Sequence, residues 1–421
     1  MKQLQKLSAV ITGQNLTNKT NYKKTLLLAT CLSLLVSSSA SCSDNSSNQK
    51  ERTYSKQEKT LSNTKSVDVG KSFFPIGFYH VSWDTNNEQR MNDLRSIAAA
   101  GFNTIHASIK GYNDLDDYGK FLDEADQLGV KVISEFSNEF ASDRTTVVSR
   151  FKDKPAVLGW NIGDDAGSHA SASELLQIHN QIKAADPNHL TYTSVAFDVD
   201  MSRVKQSYAN YTSVADLIGG QSYPIGLPVT LKNVNDIFSV ARTEANKYGH
   251  PVIANLQTFR WVDTAWSQLG VEGRRWPSGK EVDNMTYQAL LSGVKGIIFY
   301  TYYDPANKIT EHPEVWNEVQ NLAIEIKKLS PVLLNGKRRR INTNVKDLLA
   351  GTWTYQGQVY VVAINTSYDS TKTVSIQLPS GIVGKAQPLF ASSPSTLSVH
   401  GDKLSGVIKP LEVHIYSLDT K

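Results

Sequence analysis

The chain has 421 residues, 40% hydrophobic and 20% charged, an ordinary globular composition long enough for one large and one small domain. Its net charge of +4 comes from the first 66 residues, which hold ten Lys/Arg and three Asp/Glu; the remainder has 34 basic and 37 acidic residues. This distribution argues against a nucleic-acid-binding protein, because the basic residues are concentrated in the leader. We expect no nucleic-acid partner.

Residues 1–42 have the features of an export signal. Lys23 and Lys24 precede an apolar stretch of about sixteen residues and then a run of small residues, as in a secretory signal peptide. The sequence SASC at 39–42 resembles the lipobox of bacterial lipoproteins, with Cys42 as the lipid-bearing residue and Cys31 as a second candidate. We therefore expect an exported protein that is anchored to the bacterial membrane through Cys42, or else is secreted or periplasmic.

Residues 43–70 are predicted to form a disordered tether, because most of them are Ser, Asn, Lys, Gln and other polar residues. Cys31 and Cys42 are the two cysteines of the chain, and both lie in the leader. We therefore expect that neither disulfides nor cysteine chemistry contribute to the folded part.

From residue 71 to residue 330, short apolar runs alternate with amphipathic stretches. Because parallel strands are buried on both faces, they read as continuous apolar runs. The predicted strands are 73–79, 102–107, 130–136, 156–163, 190–196, 216–222, 251–257 and 296–302. Helices are predicted between them, including 87–100 and 172–185, and a Ser171-x-x-Glu174 capping box favours a helix start at the second of these.

Eight strand–helix units in this length predict a (β/α)8 barrel. A doubly wound open sheet is the rival, but it rarely needs eight units, and the first connection (HVSWDTNNE) lacks a Gly-rich phosphate loop. After residue 331 the pattern changes to alternating apolar and polar residues separated by Gly, Ser, Asn and Asp. We therefore predict an α/β TIM barrel at 71–330, followed by a small antiparallel β-sandwich at 331–421.

In such a barrel the active site lies at the carboxyl ends of the strands. Two adjacent acids, Asp164 and Asp165, follow the apolar run AVLGWNIG, and Glu135 ends the strand before it. We predict these three as catalytic residues. The residues predicted to contact substrate are those at the other strand ends: His80, Trp83, His106, Tyr223, Gln257, Arg260, Trp261, Tyr300, Tyr302 and Asp304.

Acids together with many aromatic side chains are typical of a sugar-binding site, because aromatic faces pack on sugar rings while carboxylates and amides hold hydroxyls. No group of His, Cys, Asp and Glu has the spacing of metal ligands, so we expect neither a metal nor another cofactor. The sequence therefore predicts a carbohydrate as the partner. Trp266 and Trp276, in the long loop after the seventh strand, are further candidates for a sugar platform.

Residues 73–330 resemble bacterial glycoside hydrolases of the large retaining β/α-barrel clan, related to β-galactosidases and cellulases. The resemblance rests on AVLGWNIGDDAG, DLIGGQSYPIG, PVIANLQTFRW and YQALLSGVKGIIFYTYYDP. It implies that Asp165 stands at the acid/base position, usually a glutamate, and that Asp164 contacts the sugar hydroxyl beside the anomeric carbon. Tyr223 matches a site tyrosine, and the C-terminal sandwich matches a domain that such enzymes often carry.

One departure changes the expected mechanism. Strand 7 of the clan ends in a nucleophilic glutamate, but here it ends in Gln257, and an amide cannot form the usual glycosyl-enzyme ester. Glu135 is the first substitute that we consider, and Glu272 is the second.

Two alternatives stay open. Some barrel enzymes that cleave N-acetylhexosamines use adjacent acids at strand 4 and need no protein nucleophile, so Asp164 and Asp165 also fit substrate-assisted catalysis. The other alternative is an inactive carbohydrate-binding or polysaccharide-assembly lipoprotein, which Gln257 favours. The sequence indicates neither the sugar, the linkage, the stereochemical outcome nor the oligomeric state.

Overall fold

A computed structural model describes residues 67–261 and 275–420 of the chain. The predicted signal peptide, Cys42, the tether up to residue 66, Glu272 and Trp266 lie outside the described residues. None of the described helices is long and apolar enough to cross a bilayer.

Eight parallel strands form a closed barrel, which confirms the predicted fold. They follow one another in chain order, and β1 pairs with β8 to close the ring. The strands are β1 Ile76–His80, β2 Thr104–Ile109, β3 Lys131–Phe136, β4 Val157–Ala166, β5 Leu190–Val195, β6 Leu217–Ser222, β7 Val252–Gln257 and β8 Ile297–Asp304. A two-residue strand, β9 Asn307–Lys308, pairs antiparallel with the end of β8. Each barrel strand overlaps the run of residues predicted for it. The agreement arises because strands buried on both faces are continuously apolar in sequence.

Helices surround the barrel between the strands. Their bounds are α1 Asn87–Ala99, α2 Leu115–Gln127, α3 Arg144–Phe151, α4 Ala172–Ala185, α5 Met201–Tyr211, α6 Asn233–Ala245, α7 Gly279–Ser292 and α8 Pro313–Asn335. Ser171 and Glu174 form the predicted capping box, in which each side chain binds the other residue's backbone N–H at the start of α4. The predicted domain boundary at 331 falls inside α8, which continues to Asn335.

Large side chains fill the inside of the barrel. Ile133, Leu158, Leu217, Ile253 and Ile298 project inward and pack together. The same cluster includes Val69, which lies at the amino ends of the strands and closes that end of the barrel. The opposite end, at the carboxyl ends of the strands, is therefore where a cleft can open.

The C-terminal region is a sandwich of two antiparallel sheets, as predicted. Its strands are β10 Lys337–Ile341, β11 Leu348–Tyr355, β12 Gln358–Asn365, β13 Lys372–Gln377, β14 Ile382–Pro388, β15 Leu397–His400, β16 Lys403–Ile408 and β17 Val413–Thr420. One sheet has the order β10-β11-β12-β17-β14 and the other β13-β16-β15. Residues of both sheets, such as Val361 and Leu404, share one core. Asn284 of α7 attaches the sandwich to the barrel by donating to the carbonyls of Asn365 (2.9 Å) and Leu411 (3.0 Å).

An acidic cluster between α7 and α8 predicts that alkaline pH destabilises the fold. Burial and the carboxylates of Glu325 and Glu314 raise the pKa of Glu318 to about 7, and burial with Glu318 and Glu325 raises that of Asp283. The native state therefore holds the Glu318 proton more tightly than the unfolded state, and this stabilisation is lost as pH rises from 4.5 through 7. We expect Glu318→Gln to raise the free energy of unfolding by about 1–2 kcal/mol at pH 8.

Urea unfolding at pH 4.5 and pH 8 checks this prediction. At pH 4.5 the difference between the variant and the wild type should be much smaller, because the folded glutamate is then largely protonated and the unfolded one about half protonated. The exposed Glu311, replaced by glutamine, is the control and should show no such pH-dependent difference. A gain that is equal at both pH values would contradict the explanation.

Candidate active site

A cleft of about 890 Å³ opens at the carboxyl ends of the barrel strands. Aromatic side chains form much of its wall: Tyr79, Trp83, Phe136, Phe197, Tyr223, Phe259, Trp261 and Tyr300. Four carboxylates also line it: Glu135, Asp164, Asp165 and Asp304. The cleft therefore combines apolar faces with charged groups, as sites for sugars do.

The end of β4 is irregular, and this irregularity brings two adjacent acids into one cleft. Successive residues of a regular strand point to opposite faces. In β4 the pairing register with β5 shifts twice, between Asn161 and Gly163 and between Gly163 and Ala166, and Asp165 has a left-handed backbone with φ of +50°. Bulges of this kind redirect side chains near active sites. As a result Asp164 and Asp165 both line the cleft.

Asp165 is the more accessible acid of the pair, with 43% of its side chain exposed. Gln221 Nε2 donates to its Oδ1 at 2.7 Å. The Oδ2 atom accepts no hydrogen bond from the described residues, and the nearest basic group is His169 Nε2 at 4.0 Å. Asp165 is therefore held by one oxygen and presents the other to a ligand.

Asp164 has both carboxyl oxygens occupied. Ser194 Oγ donates to Oδ1, and the Tyr79 hydroxyl lies 3.3 Å from Oδ2. Burial, followed by the negative charges of Asp165 and Glu135, raises the pKa of Asp164 well above the ordinary value of an aspartate. Asp164 therefore keeps its proton to a higher pH than an exposed aspartate does.

Glu135 of β3 is also held through one oxygen. Its Oε2 accepts from the Tyr79 hydroxyl at 2.8 Å and from Ser108 Oγ at 2.9 Å, while Oε1 accepts from none of the described residues. Burial raises the pKa of Glu135, although these two hydrogen bonds act in the opposite direction. A protonated Asp164 can donate to the Tyr79 oxygen while Tyr79 donates its single proton to Glu135, which links the two acids.

Six of the residues predicted to contact substrate line the cleft: Trp83, Tyr223, Arg260, Trp261, Tyr300 and Asp304. The carboxylate of Asp304 accepts from the backbone N–H groups of Ala306 and Asn307, both at 2.8 Å, and so fixes the turn after β8. Trp276, the other described platform candidate, stacks on His312 with ring centroids 3.6 Å apart.

The other four predicted contact residues do not line the cleft, and the expectation of direct substrate contact is corrected for them. His80 is fully buried and binds Asp93 at 3.0 Å on the helix side of β1. Tyr302 is buried against Phe78 and other aromatic rings of the shell. His106 lies beneath Tyr79, and burial lowers its pKa to about 3, so this ring is neutral.

Gln257 is the fourth, and its amide is used entirely by the backbone. Its Oε1 accepts from the N–H of Ile225 at 2.8 Å, and its Nε2 donates to the carbonyls of Ile225 and Phe259, both at 3.2 Å. The side chain is fully buried. Gln257 therefore joins the loops after β6 and β7.

We predict that Gln257→Glu destabilises the protein and creates no nucleophile. A carboxylate here would face two carbonyl oxygens without a donor, which costs about 2–4 kcal/mol in free energy of unfolding. Urea unfolding measures the loss, and the exposed Gln177→Glu is the control, with an expected change within about 0.5 kcal/mol. A stable variant with increased glycosidase activity would contradict this assignment.

Several residues that line the cleft were not among the predicted substrate contacts, including Arg144, Asn161 and His169. Ser194 and Ser108, which hold Asp164 and Glu135, are buried small polar residues near the ends of β5 and β2. Their small polar side chains at inward positions of barrel strands are a signal that could have identified them. The sequence does not show which acid each of them binds.

The barrel is similar to those of glycoside hydrolases. No protein-family model matches the chain. The α-amylase of Geobacillus thermoleovorans, solved with acarbose, has a TM-score of 0.53 at 14% identity, over 83% of this chain and 98% of the amylase. A γ-CGTase from alkalophilic Bacillus clarkii has a TM-score of 0.56 at 12% identity, over 82% and 70%. A family 30 xylanase from Clostridium acetobutylicum has a TM-score of 0.50 at 10% identity, over 82% and 96%. At these identities the likeness shows a shared fold.

Sequence similarity to known proteins covers only a short part of the chain. A probable mannan endo-1,4-β-mannosidase F of Aspergillus flavus is 28% identical over 104 residues, which is 22% of this chain and 22% of the mannosidase. The mannosidase F of Aspergillus clavatus is 25% identical over 123 residues, which is 27% and 28% of the two chains. The chain thus matches about a quarter of these relatives, within a fold that is common to glycoside hydrolases.

Proposed function

We propose that the protein is a glycoside hydrolase that cleaves an oligo- or polysaccharide outside the cytoplasm. The observation that carries this proposal is a pair of carboxylate oxygens, Asp165 Oδ2 and Glu135 Oε1, that accept no hydrogen bond from the described residues and lie in one cleft with aromatic walls. The barrel fold shared with amylases and a xylanase, and the short match to mannosidases, support it.

In this proposal Asp165 is the general acid, and it protonates the leaving glycosidic oxygen. Glu135 is the second carboxylate, acting either as nucleophile or as base on water. Asp164 is a positioning residue, because both of its oxygens are occupied by Ser194 and Tyr79. Acid assistance of this kind contributes about 10²- to 10⁴-fold to the rate.

Glu135 and Asp164 are poorly suited to act as the pair that flanks the sugar. The Tyr79 oxygen lies 2.8 Å from Glu135 Oε2 and 3.3 Å from Asp164 Oδ2, so those two oxygens are at most about 6 Å apart with the hydroxyl between them. A sugar ring cannot enter that space. The same occupancy argues against Asp164 as the residue that accepts the acetamide N–H in substrate-assisted cleavage of N-acetylhexosamines.

A screen of aryl glycosides and polysaccharides, mannans among them, tests the proposal. Turnover by the wild type that is lost when Asp165→Asn and Glu135→Gln are combined supports the hydrolase. Sugar binding without turnover in either protein would contradict it and favour the inactive carbohydrate-binding alternative.

We also propose that Cys42 carries a lipid anchor. Cys42→Ala should then move the protein from the membrane to the soluble fraction, and unchanged membrane association would contradict the anchor.

A further inference from the structure

Two arginines line the cleft without a carboxylate partner among the described residues. Arg144 begins α3 after β3, and Arg260 follows β7. Because β3 and β7 are four strands apart in the eight-stranded ring, these arginines lie on opposite walls. Asp165, at the end of β4, lies between them around the cleft.

Several other arginines of the barrel are paired with carboxylates, and Arg242 of α6 instead donates to the carbonyl of His250 and to Asn246 Oδ1. Three of them hold a carboxylate through two hydrogen bonds of 2.6–2.8 Å: Arg90 with Asp114, Arg203 with Asp198, and Arg275 with Glu281. Arg338 of β10 also has no carboxylate, but it donates to the carbonyl of Leu291 at the end of α7, where the helix dipole is negative. Arg144 and Arg260 differ from these arginines because both line the cleft, where a ligand can reach them.

Arg144 is half-buried, and this makes it costly that no carboxylate among residues 67–261 and 275–420 pairs with it. Its NH1 donates to the carbonyl of Ala141 at 2.6 Å, and its remaining donors have no partner among the described residues. Burial lowers the pKa of Arg144, which reflects the cost of holding the cation there. A guanidinium with free donors in a partly dehydrated wall fits an oxyanion such as a carboxylate or a sulfate, two of whose oxygens it binds through parallel hydrogen bonds.

We propose that the substrate is a polysaccharide with anionic groups, carboxylate or sulfate, on sugars at both sides of the cleaved bond, bound by Arg144 on one wall and by Arg260 on the other. This inference rests on the proposed hydrolase function. Cleavage would then occur inside an acidic chain, since both walls carry a cation.

Paired substrates test the inference, because they differ only in the anionic group. Polygalacturonate and alginate are compared with their carboxyl-reduced forms, and carrageenan is compared with its desulfated form. The wild type should have at least about tenfold higher kcat/KM on one anionic polymer than on its neutral counterpart. The polymer that is cleaved identifies the anion as carboxylate or sulfate.

Arg144→Gln should lower kcat/KM on that anionic polymer by about 10- to 100-fold, chiefly through KM, and the loss on the neutral form should be at least about tenfold smaller. Arg144→Lys should be intermediate, since it keeps the charge but not the planar pair of donors. Arg339→Gln, at an exposed position outside the cleft, is the matched control.

Preference of the wild type for neutral polymers, or equal losses of Arg144→Gln on both forms, would overturn the inference while leaving the hydrolase proposal intact. If no polymer is cleaved, calorimetric binding of the same polymers separates the two proposals. Binding of an anionic polymer that weakens at least tenfold in Arg144→Gln would support the inference although the hydrolase proposal fails. Binding that is insensitive to Arg144 would overturn it.

Discussion

Asp165→Asn should lower kcat by about 10²- to 10⁴-fold on substrates with poor leaving groups, because the amide cannot donate the proton that the departing oxygen needs. The fold should be kept, since Gln221 can still donate to the side-chain oxygen and asparagine tolerates the left-handed backbone at this position. Aryl glycosides with strongly acidic phenols need little protonation, so their loss should be far smaller. Steady-state kinetics across a leaving-group series measures this difference.

The exposed Asp153, replaced by asparagine, is the control for the change in charge and should keep wild-type kinetics. A uniform loss of activity across all leaving groups would indicate misfolding or a different role. Full activity of Asp165→Asn on the native polysaccharide would contradict the assignment of the general acid.

Glu135→Gln should lower kcat/KM by about 10²- to 10⁴-fold, because it removes the second carboxylate while its amide oxygen still accepts from Tyr79 and Ser108. In the wild type, burial raises the pKa of Glu135, so the acid limb of the pH–rate profile should lie above the usual 4.5 of a glutamate. Activity should therefore rise with pH through that limb, and the limb should be absent from the variant.

Azide distinguishes the two roles of Glu135. If Glu135 is the nucleophile, azide added to the Glu135→Gln variant should restore turnover of an activated aryl glycoside and give a glycosyl azide of inverted configuration. If it is the base, the wild type should invert the anomeric centre, which NMR of the first product reports. Glu139→Gln, four residues along the chain and exposed, is the matched control. Wild-type kinetics of Glu135→Gln would direct the search for the second carboxylate to Asp304.

Most of the barrel could be predicted from the sequence, because parallel strands buried on both faces leave uninterrupted apolar runs between helices with recognisable caps. The clearest difference is at β4, which was predicted to end at residue 163 and extends to Ala166. The acids at its end resemble a loop in sequence. In the structure two register shifts keep Asp164 and Asp165 within the strand, and no local pattern encodes these shifts.

The sequence predicts which residues lie at the carboxyl ends of the barrel strands, but it does not predict which way each side chain points. Tyr79 and His80 are neighbours at the end of β1, yet Tyr79 faces the cleft and its two acids, while His80 faces α1 and Asp93. Both residues lie at the carboxyl end of the strand and are therefore candidates for the site. Because successive side chains point to opposite faces, only one of the two can face the cleft. Gln257 is a second case, because its amide is held mainly by Ile225 in the loop after β6, 32 residues away along the chain.

The structure of Asp165→Asn with a bound, uncleaved oligosaccharide tests the central claim most directly. We expect one glycosidic oxygen within about 3.2 Å of the side chain at position 165, with Glu135 Oε1 facing the anomeric carbon of the same bond or a water beside it. An oligosaccharide bound in the cleft with its glycosidic oxygens out of reach of position 165, or bound only outside the barrel mouth, would contradict it.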